Sequence, residues 1–320
     1  MGLPCLERAL HTMDSALDRI EILSVSLLDD QRPLAQEMRQ ISEQLNITLG
    51  WHYLLDLTWA AQQLAVTGGM RVMDAGAGQG LMQWWLANRG VEVLSVDRCS
   101  RADLGSQFRA WCTVQGSRPG DLDPIVQPQL REFLPPRRPW YWHHWPRKLR
   151  NALSGARTSA SMRPSGRGAV TIYNRELADM SDIADGSVDA VVSISALEHN
   201  ELDVIRDIVE ELMRVLKAGG RLIATVGAAR DRDWFHKPSK GWCYTEATLR
   251  DAFDLRPDCP SNYDRYDELL QALCENDELR RSLSPVYSKS GDNGMPWGIW
   301  NPTYQPVGVV KQKDTRCLEV

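Results

Sequence analysis

Apolar residues recur at intervals of three, four or seven over residues 5–28: Leu6, Leu10, Met13, Leu17, Ile20 and Leu27. That spacing predicts an amphipathic helix. Pro33 suits a helical first turn and predicts a second helix reaching about Leu49. A third is predicted from Trp51 to about Val66, closed by Gly68-Gly69. Residues 1–69 are therefore expected to form a helical cap. Its apolar faces would pack on the rest of the chain or pair two subunits into a homodimer.

The pattern changes at Met70. Arg71-Val72-Met73-Asp74 is a short apolar run entering a glycine-rich turn, Leu81–Asn88 reads as a helix, and Val91–Asp97 reads as a second strand. Strand, helix and strand in so few residues make a βαβ unit of a parallel sheet. The alternation stops over 101–168, which is too long for a simple connection. It resumes with strands at Ala169–Tyr173 and Val188–Ile194. A helix at about Leu202–Leu216 is capped by Gly219-Gly220, and Arg221–Val226 is a further strand. Helices are also predicted over Thr245–Phe253, with Thr245 as N-cap, and over Tyr266–Leu283. From Pro285 the chain is rich in Gly, Pro, Trp and Tyr.

The expected fold class is α/β: a Rossmann-like doubly wound sheet with an N-terminal helical cap, a long insert after the second strand and an aromatic C-terminal extension. The expected division is 1–69 as the cap, 70–230 as the core with its insert at 101–168, and 231–320 as a substrate or cap region.

Composition narrows the classes. Seven cysteines are scattered without a CxxC spacing, which argues against a disulfide framework or zinc site and for reduced thiols in a cytoplasmic protein. No secretory leader is read at the N-terminus, and no run of about 18 apolar residues spans a membrane. The net charge of −5 is too mild to name a partner. The stretch 131–167 is different: it holds nine Arg or Lys against the single acid Glu132, around Trp140-Tyr141-Trp142-His143-His144-Trp145. Such a segment can bind nucleic acid or a membrane surface, or grip an anionic substrate; the negative whole-chain charge favours a loop that folds over the active site or packs against a neighbouring subunit.

The chemistry starts at Val72-Met73-Asp74-Ala75-Gly76-Ala77-Gly78-Gln79-Gly80. Small residues let a ligand approach the backbone where a strand turns into a helix. A dinucleotide site requires G-x-G-x-x-G, and Leu81 occupies the third glycine position. Asp74, just before the turn, would repel a pyrophosphate and attract an ammonium group. S-adenosylmethionine carries one, beside a sulfonium. Asp97 ends the second strand, where a carboxylate can accept hydrogen bonds from both ribose hydroxyls. Leu81 and Asp74 disfavour a nicotinamide dehydrogenase.

The residues resemble the class I S-adenosylmethionine-dependent methyltransferases, in wording nearest the small-molecule type 11 branch. Asp74–Gly80 is similar to the family's first motif, and Asp97 to its ribose-binding acid. Asp179–Asp189 resembles the stretch between its third and fourth strands, and Ser193–His199 the motif after strand four. Val215–Leu222 resembles its "L-K-P-G-G" turn. The resemblance covers about 70–100 and 169–230. It implies S-adenosyl-L-methionine as cofactor, held by Asp74, Ala75, Gly76, Gly78, Gly80, Asp97, Arg98, Asp179, Met180 and Ser195. Asp179 would meet the adenine amino group.

Methyl transfer is an in-line displacement that needs alignment and exclusion of water. An alcohol acceptor also needs a base, and His199, just after strand four, is the candidate; His52 and His236 are further ones. Its alternative role is to pack or cap a helix start. Some methyltransferases bind a divalent metal through E-x-x-E-H. Here Ser195 stands at the first Glu position before Glu198 and His199, so no metal is expected. The expected activity is O-methylation of a small-molecule or glycan-precursor hydroxyl. The alternatives are a nucleic-acid methyltransferase or binder using the basic insert, and a non-catalytic S-adenosylmethionine-binding protein. Asn301-Pro302-Thr303-Tyr304 is similar to the N-P-P-Y motif of base-amino methyltransferases but stands too late in the chain to serve as it.

Overall fold

The structure, a computed structural model, describes residues 18–124, 168–282, 295 and 299–315. The start of the expected helix over 5–28 and the basic aromatic stretch 131–167 lie outside the described residues.

The centre is a mixed sheet. Its parallel heart comprises β2 (Arg71–Ala75), β3 (Glu92–Asp97), β4 (Thr113–Gly116), β5 (Ala169–Asn174), β6 (Val188–Ile194) and β7 (Leu216–Ala228). The strands run in the order β1-β10-β7-β6-β2-β3-β5-β4, with β1 at Arg19–Ile22 and β10 at Gln305–Gln312. From β2 the chain winds outward through β3 to β5, then returns to β6 on the other side of β2. That reversal makes the carboxyl ends of β2 and β6 a topological switch point, where open α/β sheets bind ligands. A short antiparallel pair, β8 (Trp234–His236) and β9 (Gly241–Tyr244), extends beyond β7.

Strand side chains alternate between two cores. Val72, Val93 and Val192 face one, under helices α1 (Leu27–Asp30), α2 (Arg32–Leu45), α3 (Tyr53–Leu64), α4 (Met82–Asn88) and α5 (Ser106–Trp111). Met73, Leu94 and Val191 face the other, under α6 (Leu202–Val215), α7 (Glu246–Ala252) and α8 (Tyr266–Cys274). A short α9 follows at Asp277–Ser282. The central strands β2, β3 and β6 are buried on both faces, as this layering demands, whereas the edge strand β4 is not.

The expected elements of the heart are present, but the flanks differ. Arg19-Ile20-Glu21-Ile22 is a strand, not a helix: Ile20 and Ile22 are buried while their neighbours are half-buried, a period of two. It pairs antiparallel with β10. The second helix stops at Leu45 because Asn46 turns left-handed at φ 53°, and Ala65 at φ 44°, rather than Gly68-Gly69, ends the third. Gly219-Gly220 lies within β7 rather than capping α6. Tyr266–Leu283 is broken between Cys274 and Asp277.

Three consequences follow for the expected division. The 1–69 region contributes one strand, β1, to the sheet and the 231–320 region three, β8, β9 and β10. The insert also contributes one, since β4 pairs parallel with β5. The apolar stripe of α2 (Ala35, Met38, Ile41 and Leu45) is buried within the chain itself. Among the described residues no helix is long and apolar enough to cross a membrane.

Candidate functional site

The turn after β2 is built to bring backbone to the switch point. Gly76 has φ +75°, and a Cβ there would lie 2.4 Å from the Ala196 Cβ, so a side chain would collide with the loop after β6. Gly78 has φ +47° and donates its N–H to Asp97 Oδ2 at 2.8 Å, tying the ends of β2 and β3 together. Gln83 in α4 steadies the same turn by donating to the carbonyls of Ala77, Gly78 and Gly80 at 3.1–3.3 Å.

Three adjoining cavities open here. The first, about 560 Å³, is bordered by Asp74, Gly76, Gly78, Gly80, Phe108 and Ser195, and by Ile47–Leu49 and Tyr53 from the N-terminal helical region. The second, about 260 Å³, is bordered by Gly76, Asp97, Arg98, Glu176, Leu177 and His199. The third, about 110 Å³, is bordered by His52, Tyr53, Glu198, His199, Trp242 and Tyr304. Ser195 borders all three, Gly76 joins the first two, and Tyr53 joins the first to the third. Ser195 itself has φ +47°, a conformation a side-chain-bearing residue rarely adopts, so the bend after β6 is held against backbone preference.

Asp74 is 2% exposed, and burial pushes its carboxyl up to about 7 despite the pull of Arg101. Among the described residues it has no ion-pair partner. A buried carboxyl at a cavity wall, held by the Gln83 backbone N–H but by no ion pair, fits the ammonium end of S-adenosylmethionine. Asp97 accepts from Gly78 N and from Cys99 N at 2.7 Å, one bond per oxygen, which leaves a lone pair on each for a diol.

Most of the expected cofactor residues converge. Asp74, Gly76, Gly78 and Gly80 border the first cavity, Asp97 and Arg98 the second. Ala75 does not: it is fully buried in the sheet, its carbonyl accepting from Ser193 Oγ at 2.9 Å. Asp179 and Met180 do not border these cavities either. Strand β5 ends at Asn174, so Glu176 and Leu177 reach the second cavity first; Asp179 is exposed beyond them, and Met180 is buried in the core.

His199 lies between the second and third cavities, exposed, with Nδ1 against the Lys240 carbonyl at 2.9 Å. His236 is buried against Ser239 Oγ at 2.7 Å and does not border the third cavity. His52 borders it, paired with Asp56.

Arg101 was not signalled by any motif. It is 1% exposed, and its guanidinium donates to the Ser95 and Tyr173 carbonyls at 2.9 and 2.8 Å, beneath the ends of β3 and β5. Burial pulls its pKa down, while Asp97, Asp74 and Asp121 pull it up. It is the cation that offsets the two acids of the cleft. Tyr304 also borders the third cavity. It comes from the Asn-Pro-Thr-Tyr segment, brought there because β10 returns beside β7.

Residues 150–224, spanning β5, β6 and the start of β7, match the family model described as a methyltransferase domain. No curated protein matches the chain. Among solved structures, similar ones include the geranyl diphosphate C-methyltransferase of Streptomyces coelicolor, solved with S-adenosyl-L-homocysteine, at 16% identity. That match covers 93% of this chain and 92% of that one, with a TM-score of 0.42. The cyclase SpnF is 10% identical over 92% and 98%, TM-score 0.45. The YcgJ protein of Bacillus subtilis is 15% identical over 81% and 98%, TM-score 0.41. Over residues 150–224 the chain therefore carries a match to a methyltransferase domain.

Proposed function

We propose that this enzyme methylates a hydroxyl of a small molecule, such as a glycan precursor, with the cofactor in the first two cavities and the acceptor entering the third. The observation that carries this reading is Ser195, which borders all three spaces and so marks where donor and acceptor meet. Asp74 takes the ammonium group and Asp97 the ribose diol, while Glu176 and Leu177 stand where the adenine would lie. When bound, S-adenosylmethionine supplies a methyl group on a positively charged sulfur, a good leaving group.

Two properties of the third cavity favour a hydroxyl. An alcohol gives up its proton as it is methylated, and two histidines, His52 and His199, border the space. Tyr53, Trp242 and Tyr304 offer ring faces of the kind that stack on sugars or aromatic rings. The reading is tested with methyl-labelled S-adenosylmethionine and a pool of small alcohols, phenols, diols and monosaccharides. The expected product is a methyl ether identified by mass spectrometry. Label appearing only on amines, on nucleic acid or on nothing would overturn it.

A further inference from the structure

The third cavity holds a group that the cofactor does not use. His52 precedes the first turn of α3 and is 7% exposed, and its Nδ1 lies 2.5 Å from Oδ2 of Asp56, one helical turn on. Asp56 is wholly buried, and its Oδ1 has no hydrogen-bond partner among the described residues. Burial pushes the Asp56 carboxyl up while His52 pulls it back; with Asp56 ionised it only accepts, so in the neutral imidazole Nδ1 carries the proton and Nε2 the lone pair. Nε2 has no partner among the described residues. The imidazole is clamped by rings: Trp51 edge-on at 4.8 Å, Tyr53 stacked at 5.0 Å and Tyr304 edge-on at 5.8 Å. His199, by contrast, is exposed, with Nδ1 against the Lys240 carbonyl.

Across the cavity stands Glu198, 6% exposed. Its Oε1 accepts from Ser195 Oγ at 2.5 Å, whereas Oε2 is buried without a partner among the described residues. A buried carboxylate oxygen left unpaired is costly unless something arrives to satisfy it.

We infer that this pocket is the acceptor subsite, that His52 oriented by Asp56 is the base that takes the acceptor's proton, and that Glu198 receives a second hydrogen-bond donor of the same acceptor. The inference rests on the hydroxyl reading above and specifies it: the acceptor carries a hydroxyl with another donor group beside it. During transfer the acceptor's O–H bond breaks and its proton goes to His52 Nε2. Its oxygen forms the new bond to the methyl carbon, and the pair from the broken sulfur–carbon bond stays on sulfur. The His52 imidazolium, held by Asp56, then returns the proton to solvent.

The charged and titratable groups around His52 come from several elements. Asp56 lies on its own helix, Glu198 and His199 on the turn after β6, His236 on β8, Cys243 on β9 and Tyr304 before β10. Burial pulls the His52 pKa down, but Asp56 and Glu198 together leave it raised. The base form therefore grows in as pH rises through that raised value.

The test uses the full chain, methyl-labelled S-adenosylmethionine and the same pool of alcohols, phenols, diols and monosaccharides. His52→Asn keeps an N–H where Nδ1 stands, so a purely structural role survives while the base is lost. The expected result is a fall in methyl transfer of at least about a hundredfold, with S-adenosylmethionine affinity by calorimetry unchanged within about threefold. With S-adenosylmethionine kept saturating at every pH, so that Asp74 does not limit binding, the acid limb of the wild-type pH–rate profile should disappear in that variant. Independently of activity, nitrogen-15 spectra of the histidine rings at pH 8 should show the His52 proton on Nδ1. Full activity in His52→Asn, or a proton on Nε2, would overturn the inference and leave the hydroxyl reading standing. A wild-type enzyme that labels no hydroxyl would overturn both.

Discussion

Asp74 is poised between two requirements. Burial lifts its carboxyl to about 7, yet an ammonium ligand needs it ionised. If only the carboxylate binds, cofactor affinity weakens by up to about tenfold for each pH unit below 7 and levels off above it. Calorimetric titrations between pH 6 and 8 read this directly, and Asp74→Asn should bind weakly with no such slope. The stability effect has the opposite sense. A carboxyl whose folded pKa is raised binds more protons folded than unfolded between about pH 4 and 7, so its contribution falls as pH rises through that window. Asp74→Asn should therefore raise stability at pH 8, read as a higher thermal midpoint, by an amount bounded at about 4 kcal/mol. A variant equally stable at pH 8 would show that Arg101 already neutralises the site.

At the scale of elements, the flanks hold the catalytic heart through close contacts. Trp59 of α3 lies on β10 at Gly308, where an added Cβ would come within 2.3–2.5 Å of three ring carbons. Its indole N–H donates to Glu21 of β1 at 2.9 Å, so one side chain spans helix and two strands. Trp59 is 1% exposed and has no room to yield. Gly308→Ala should destabilise the protein by about 1–3 kcal/mol, measured by urea unfolding. An unchanged midpoint would mean that α3 shifts freely on the sheet. Such contacts also explain what the sequence revealed and what it concealed. The β2 turn, β3, β6 and α6 were legible because local periodicity and small residues define them. β1 and β10 were not: Arg19-Ile20-Glu21-Ile22 is four residues long and is fixed as a strand by its distant partner.

Over the whole molecule, segments from both flanks of the core meet at the cleft. Residues around His52 arrive from the N-terminal helices and Tyr304 from the approach to β10, and both meet Glu198 beyond β6. The glycine turn and Asp97 could be read from a local motif, whereas the third cavity is assembled by topology and left no motif to find. Asp179 shows the converse: the family resemblance selected it, whereas Glu176 and Leu177 are the residues after β5 that border the cavities. The central claim is that Asp74 and Asp97 wall one site at the sheet's switch point. Calorimetric titration of the full chain with S-adenosylmethionine at pH 8 tests it most directly. The account predicts saturable binding at one site per chain, weakened roughly 10- to 150-fold in Asp97→Ala, as expected for about 1.5–3 kcal/mol of hydrogen bonding to a charged group. No binding by the wild type, or undiminished affinity in Asp97→Ala, would contradict it.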